Sequence, residues 1–124
     1  MPSTLLDLRQ PVCCVNFAHH YYKLIGSRFT TIRGETWPKR KGLIAGDLVQ
    51  INVDGIKQGI AEVVDIQHTR LRDISLDVLQ RDGDYPGGRI ETKRDFLQLI
   101  NSFRKWGAYE WQSLVSVITM EWKP

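Results

Sequence analysis

Asp54-Gly55 stands between two apolar runs, Leu48 to Val53 before it and Ile56 to Ile66 after it. An Asp-Gly pair tolerates the positive backbone angles of a two-residue turn whose twist matches that of paired strands, so it predicts a β-hairpin. An all-helical fold is thereby excluded. The chain's 124 residues are expected to form one domain, residues 1–124, because that length supports a single core. A hydrophobic content of 42% against 25% charged residues excludes disorder.

The segments around the hairpin suggest how the sheet is completed. Pro11 to Asn16 holds Val12, Cys13, Cys14 and Val15, a short apolar run that suits a buried strand. With Asn16 as cap, the spacing of Phe17, Tyr21, Leu24 and Ile25 predicts a short amphipathic helix stopped by Gly26. Phe29 to Arg33 reads as the next strand. Ser75 is a candidate N-cap for a helix through Leu76 and Leu79 that ends before Gly83, and Asp82 to Arg89 reads as a loop. Thr92 and Asp95 form a capping-box pattern ahead of Phe96, Leu99, Ile100 and Phe103. Arg104 and Lys105 suit that helix's C-terminal dipole, and Gly107 its stop. Trp111 to Trp122 reads as a final strand. Local hairpins with helices inserted at two points predict an α+β fold built on a small, partly closed barrel. A doubly wound sheet would need regular strand–helix alternation, which is absent.

Several function classes fall away. Trp111 to Met120 is the most apolar stretch, and it is shorter than the roughly 18 residues of a membrane span and interrupted by polar side chains. Asp7 and Arg9 precede any apolar run and no basic leader is seen, so a cytoplasmic protein is expected. Adjacent Cys13 and Cys14 would point to opposite faces of a strand, and no His or Cys spacing suits a zinc site; neither metal nor cofactor is expected. On the expected helix His19 and His20 lie about 100° apart and do not chelate. His68 falls beyond the second hairpin strand with no nucleophile beside it, and Gly87-Gly88 lacks the phosphate-loop pattern.

Charge is concentrated in one place. Arg28, Arg33, Lys39, Arg40 and Lys41 face a single acid, Glu35, within residues 28–41, although the whole chain carries only +3. Clustered cations make a focused potential suited to an anion; a run of this kind also serves as a solvated surface. Trp37 within the run can stack on a base or anchor the segment to the core. On the strand, Phe29, Thr31 and Arg33 share one face and Thr30 and Ile32 the other, with Arg28 at the turn nearby. A hydroxyl beside a guanidinium fork suits a phosphate or a planar polar group, and the same fork suits pairing with Asp or Glu.

The segment Gly26-Ser27-Arg28-Phe29-Thr30-Thr31-Ile32-Arg33 resembles the signature of the ASCH domain (activating signal cointegrator homology), Gly-x-Lys-x-x-Thr-x-Arg, with Arg28 at the Lys position. Gly46-Asp47 before a strand, the hairpin after it, Asp73-Ile74 before a short helix and a last strand near Trp122 follow the family's order. The resemblance implies an α+β fold, a small PUA-like mixed β-barrel with flanking helices, and an RNA or nucleoside/nucleotide ligand. The expected binding set is Arg28, Thr31, Arg33, Trp37, Lys39, Arg40 and Lys41. Some bacterial ASCH proteins hydrolyse the amide of acetylcytidine or act as ribonucleases, so a hydrolase on the same groove is the alternative. Its implied catalytic set is Arg28, Thr31 and Glu91, with Asp82 and Asp84 as the other carboxylates open to the role. Arginine stays protonated and binds or stabilises negative charge where lysine can act as a base, which favours binding over amide hydrolysis. A protein-interaction module using exposed aromatics is the remaining class.

Overall fold

A computed structural model describes residues 9–103 and 108–124. The hairpin forms as expected: Asp54 and Gly55 both have positive φ, 50° and 78°, and Val53 pairs with Ile56 across the turn. It joins β3 (Leu48–Val53) to β4 (Ile56–Arg70). β4 runs past Ile66 to Arg70, so His68 lies within the strand. Its continuation was hidden because exposed polar residues such as Asp65, Gln67 and His68 alternate there with only partly buried ones. The first part of β4 pairs with β3 and the later part with β5 (Leu114–Trp122).

Two edge strands complete a mixed sheet in the order β1-β3-β4-β5-β2. β1 (Cys13–Phe17) lies parallel to β3, and β2 (Arg28–Gly34) antiparallel to β5. The sheet curls into a half-barrel, its open seam falling between β1 and β2. Val15, Val49, Ile51, Ala61, Val63, Ile118 and Met120 fill the inside. A second apolar cluster packs α2 (Leu76–Gly83) and α3 (Lys93–Ser102) around Leu71, Leu79, Ile90, Phe96 and Val115.

The helix expected over Phe17 to Ile25 is corrected. Phe17 is the last residue of β1, paired with Val53, and only Tyr22–Ile25 winds into a single 3₁₀ turn. Phe17 and Tyr21 bury their rings edge to face, 5.9 Å apart, from a strand end and a bend. Their spacing therefore mimics a helical stripe, while Ile25, at the stripe's other end, is 84% exposed. The segment after β2 contains α1 (Trp37–Arg40), one short turn anchored by buried Pro38.

Local signals at the other helices hold. Ser75 Oγ accepts from Val78 N–H at 3.4 Å, and Thr92 and Asp95 make both bonds of the capping box. α2 extends one residue further than expected, through Gly83. A Cβ there would meet Phe96 Cδ2 at 3.1 Å, so glycine lets α3 close onto the end of α2 beside Asp82. Phe103 is half exposed, outside the buried face expected for it; Arg104, Lys105 and Gly107 lie outside the described residues. Among the described residues no helix is long and apolar enough to cross a membrane.

Candidate ligand-binding site

The seam between β1 and β2 opens into a cavity of about 730 Å³, within the usual range for small-molecule sites. β1 contributes Asn16 and Phe17, β2 contributes Thr31 and Arg33, and α1 contributes Trp37 and Arg40. The 3₁₀ turn brings Lys23, α2 brings Asp82, and α3 closes the far wall with Phe96, Leu99 and Ile100.

Lys23 Nζ donates to Asp82 Oδ1 at 3.1 Å, both side chains less than a tenth exposed. Thr30 Oγ1 donates to the same oxygen, also at 3.1 Å. Burial pushes the Lys23 ammonium below its ordinary pKa, and the Asp82 charge and hydrogen bond oppose that shift. Tyr21, against the same carboxylate, has its phenol pushed up to about 12, mainly by burial, with Asp82 and Tyr85 adding to the rise.

Arg33 is held on three sides. Its Nε donates to Thr31 Oγ1 at 3.1 Å and its Nη2 to the Asn16 carbonyl at 3.0 Å. Its guanidinium carbon sits 5.2 Å from the Phe17 ring centre and 5.0 Å from that of Trp37. Burial lowers its pKa and Asp82 opposes this; the guanidinium remains a cation. Thr31, 3% exposed, lies in the cavity wall under this fork.

The expected site residues separate in space. Thr31, Arg33, Trp37 and Arg40 converge on the cavity. Arg28 does not: it opens β2 opposite Glu121 of β5 and pairs with that carboxylate at 2.7 Å on the exposed surface. Glu91 is exposed and outside the cavity wall. Asp84 is likewise outside, its Oδ1 accepting from Ile90 N–H at 2.6 Å to brace the loop. Asp82 is the carboxylate of the wall, because it occupies the last turn of α2 rather than the loop expected from its glycine-rich neighbours. Lys39 and Lys41 are exposed on and beside α1, with Lys41 Nζ 6.0 Å from the Trp37 ring centre. Arg33 and Lys41 thus already engage the Trp37 ring, which anchors the segment as well as lining the cavity.

Lys23, Tyr21 and Asn16 were missed. A helical reading of residues 17–25 put Tyr21 on a core face and drew no attention to Lys23. His19 stacks on Tyr85 with ring centres 3.9 Å apart, His20 is exposed, and His68 Nδ1 lies 3.1 Å from Ser116 Oγ. Ser116 itself is fully buried, and its hydroxyl donates to the Glu35 carbonyl at 3.1 Å. Cys13 and Cys14 are free thiols. Among the described residues no three His, Cys, Asp or Glu side chains gather to hold a metal.

No family model matches the chain. The uncharacterized protein MJ0364 of Methanocaldococcus jannaschii is 42% identical over 89 residues, which is 72% of this chain and 77% of that protein. Among solved structures, the Enterococcus faecalis protein EF3133, of family model DUF984, superposes with a TM-score of 0.65 at 14% identity, over 94% of this chain and 78% of the other. An ASCH domain from Lactobacillus crispatus superposes with a TM-score of 0.57 at 17% identity, over 89% and 78%. With 42% identity across most of both chains and a half-barrel shared with a solved ASCH domain, the chain belongs to the same family as the M. jannaschii protein and has the ASCH domain fold.

Proposed function

We propose that this chain binds RNA or a nucleotide-derived ligand, one nucleoside unit entering the cavity at the β1–β2 seam while Lys39, Arg40 and Lys41 attract the phosphates around it. The observation that carries this reading is the Lys23–Asp82 pair sunk in a cavity with Arg33 above Thr31. Buried ion pairs rarely improve stability over apolar packing, so a buried pair in the wall of a cavity argues for a ligand. Donor and acceptor side by side at Lys23 and Asp82 suit the edge of a base, and aromatic walls suit its faces. Calorimetric titration with ribonucleosides, nucleotides and short single-stranded RNA tests the reading. Binding lost in a Lys23→Met, Asp82→Leu double variant supports it; equal binding by that variant contradicts it.

Amide hydrolysis is the second reading, and one observation favours it. Lys23 lines the cavity against Asp82, a carboxylate to which it can pass a proton as Arg28 cannot, and Thr30 shares that carboxylate. Turnover of acetylcytidine that falls at least about a hundredfold in Lys23→Met would support this reading, that being the lower range for a general base. Absence of turnover in wild type would remove it.

A further inference from the structure

We infer that the ligand presents a phosphate to Arg33, so that the cavity selects nucleotides over nucleosides; this rests on the nucleotide reading above. The reason is an imbalance of charge. Three cations line the cavity, Lys23, Arg33 and Arg40, against one carboxylate among its described residues, Asp82. Lys23 and Asp82 cancel as a direct pair. Arg33 has no carboxylate within ion-pair distance among the described residues, and the partners of its bonds, Thr31 Oγ1 and the Asn16 carbonyl, are neutral.

An enclosed guanidinium whose hydrogen bonds all go to neutral acceptors, with the Asp82 charge acting on it only from beyond ion-pair distance, carries a desolvation cost that an anion would offset further. Two of its five N–H groups are occupied, leaving donors for a ligand. Since Thr31 accepts from Arg33, its own hydroxyl proton is available to donate beside them. With Arg40 on the same wall, the excess is two positive charges, which matches the dianion of a phosphomonoester better than the single charge of a phosphodiester. The ranking follows: nucleoside 5′-monophosphate above an internal RNA phosphate, and both above the nucleoside.

Calorimetry with the four ribonucleosides, their 5′-monophosphates, inorganic phosphate, and one short RNA carrying either a 5′-phosphate or a 5′-hydroxyl tests it. The monophosphates are expected to bind about tenfold or more tighter than the nucleosides, the range of a charge-assisted hydrogen bond. Affinity should also rise as pH passes about 6, where the second phosphate proton leaves. A tighter 5′-phosphorylated RNA identifies a terminal monoester as the source and upholds the ranking, whereas equal RNAs that both outbind nucleosides identify a backbone diester, uphold the phosphate contact and overturn the preference for a monoester. Arg33→Lys should shrink the preference, and so should Arg40→Ala, an exposed change that spares the fold. Nucleosides binding as tightly as monophosphates overturn the inference and leave the nucleotide reading standing. Inorganic phosphate binding as tightly as the monophosphates would uphold the anion site and overturn the nucleotide reading, and binding by none of the probes would overturn both.

Discussion

Arg33 Nη2 reaches across the open seam of the half-barrel to the carbonyl oxygen of Asn16, 3.0 Å away, so that a side chain on one edge strand of the sheet ties down the other. The same guanidinium lies between Phe17 and Trp37, which makes one residue both a clasp and a cavity wall. Arg33→Ala removes two hydrogen bonds and two ring contacts and should cost about 2–3 kcal/mol in urea unfolding. A loss under about 0.5 kcal/mol would mean that the edges hold without the clasp.

The Lys23–Asp82 pair should respond asymmetrically. Asp82→Asn leaves a buried ammonium without its carboxylate and is expected to destabilise by about 3–5 kcal/mol. Replacing both partners, in Lys23→Met with Asp82→Leu, should recover most of that loss because the desolvation cost disappears with the charges. Unfolding midpoints of the three proteins measure the difference; a double variant no better than the single would show that the pair is needed for the fold itself.

Tyr21 should titrate late. Its phenol pKa rises from an ordinary value of 10.0 to about 12, so between those values the folded protein holds a proton that the unfolded chain has released. The stability this contributes is complete below pH 10 and is lost as pH climbs toward 12. Tyrosinate absorbance in wild type and Tyr21→Phe checks this: the high-pH component should vanish in the variant.

Much of the frame was legible because local chemistry decided it. Asp54-Gly55 required the turn it makes, and Thr92 with Asp95 required a helix start. Phe17 and Tyr21 misled because spacing records only that side chains are buried, and a strand followed by a bend buried them as well as a helix would. The site was half legible. Thr31 and Arg33 follow from strand alternation, whereas Arg28, placed at a turn, stands in β2 opposite Glu121, a partner that only the β2–β5 pairing reveals. Asp82 and Lys23 are 59 positions apart and meet only through the packing of α2 against the 3₁₀ turn, so no local spacing announces them.

Arg28→Ala should leave ligand binding unchanged and cost less than about 1 kcal/mol, since its pair with Glu121 is half exposed and screened by solvent. A large loss of affinity in this variant would return Arg28 to the site.

Salt dependence tests the cationic run on and beside α1. If Lys39, Arg40 and Lys41 meet three phosphates of single-stranded RNA, log affinity should fall against log salt with a slope of about −2, and replacing all three by Ala should flatten it. An unchanged slope would make the run a solvated surface.

The most direct measurement is an amide and indole NMR titration of the chain with a short single-stranded RNA. Shifts should concentrate at Thr31, Arg33, the Trp37 indole and Asp82, leaving the Trp122 indole, which donates to the Leu24 carbonyl outside the cavity wall, unmoved. Shifts confined to the face around Trp122 and Ile56, or none at all, would contradict a ligand site between the two edge strands.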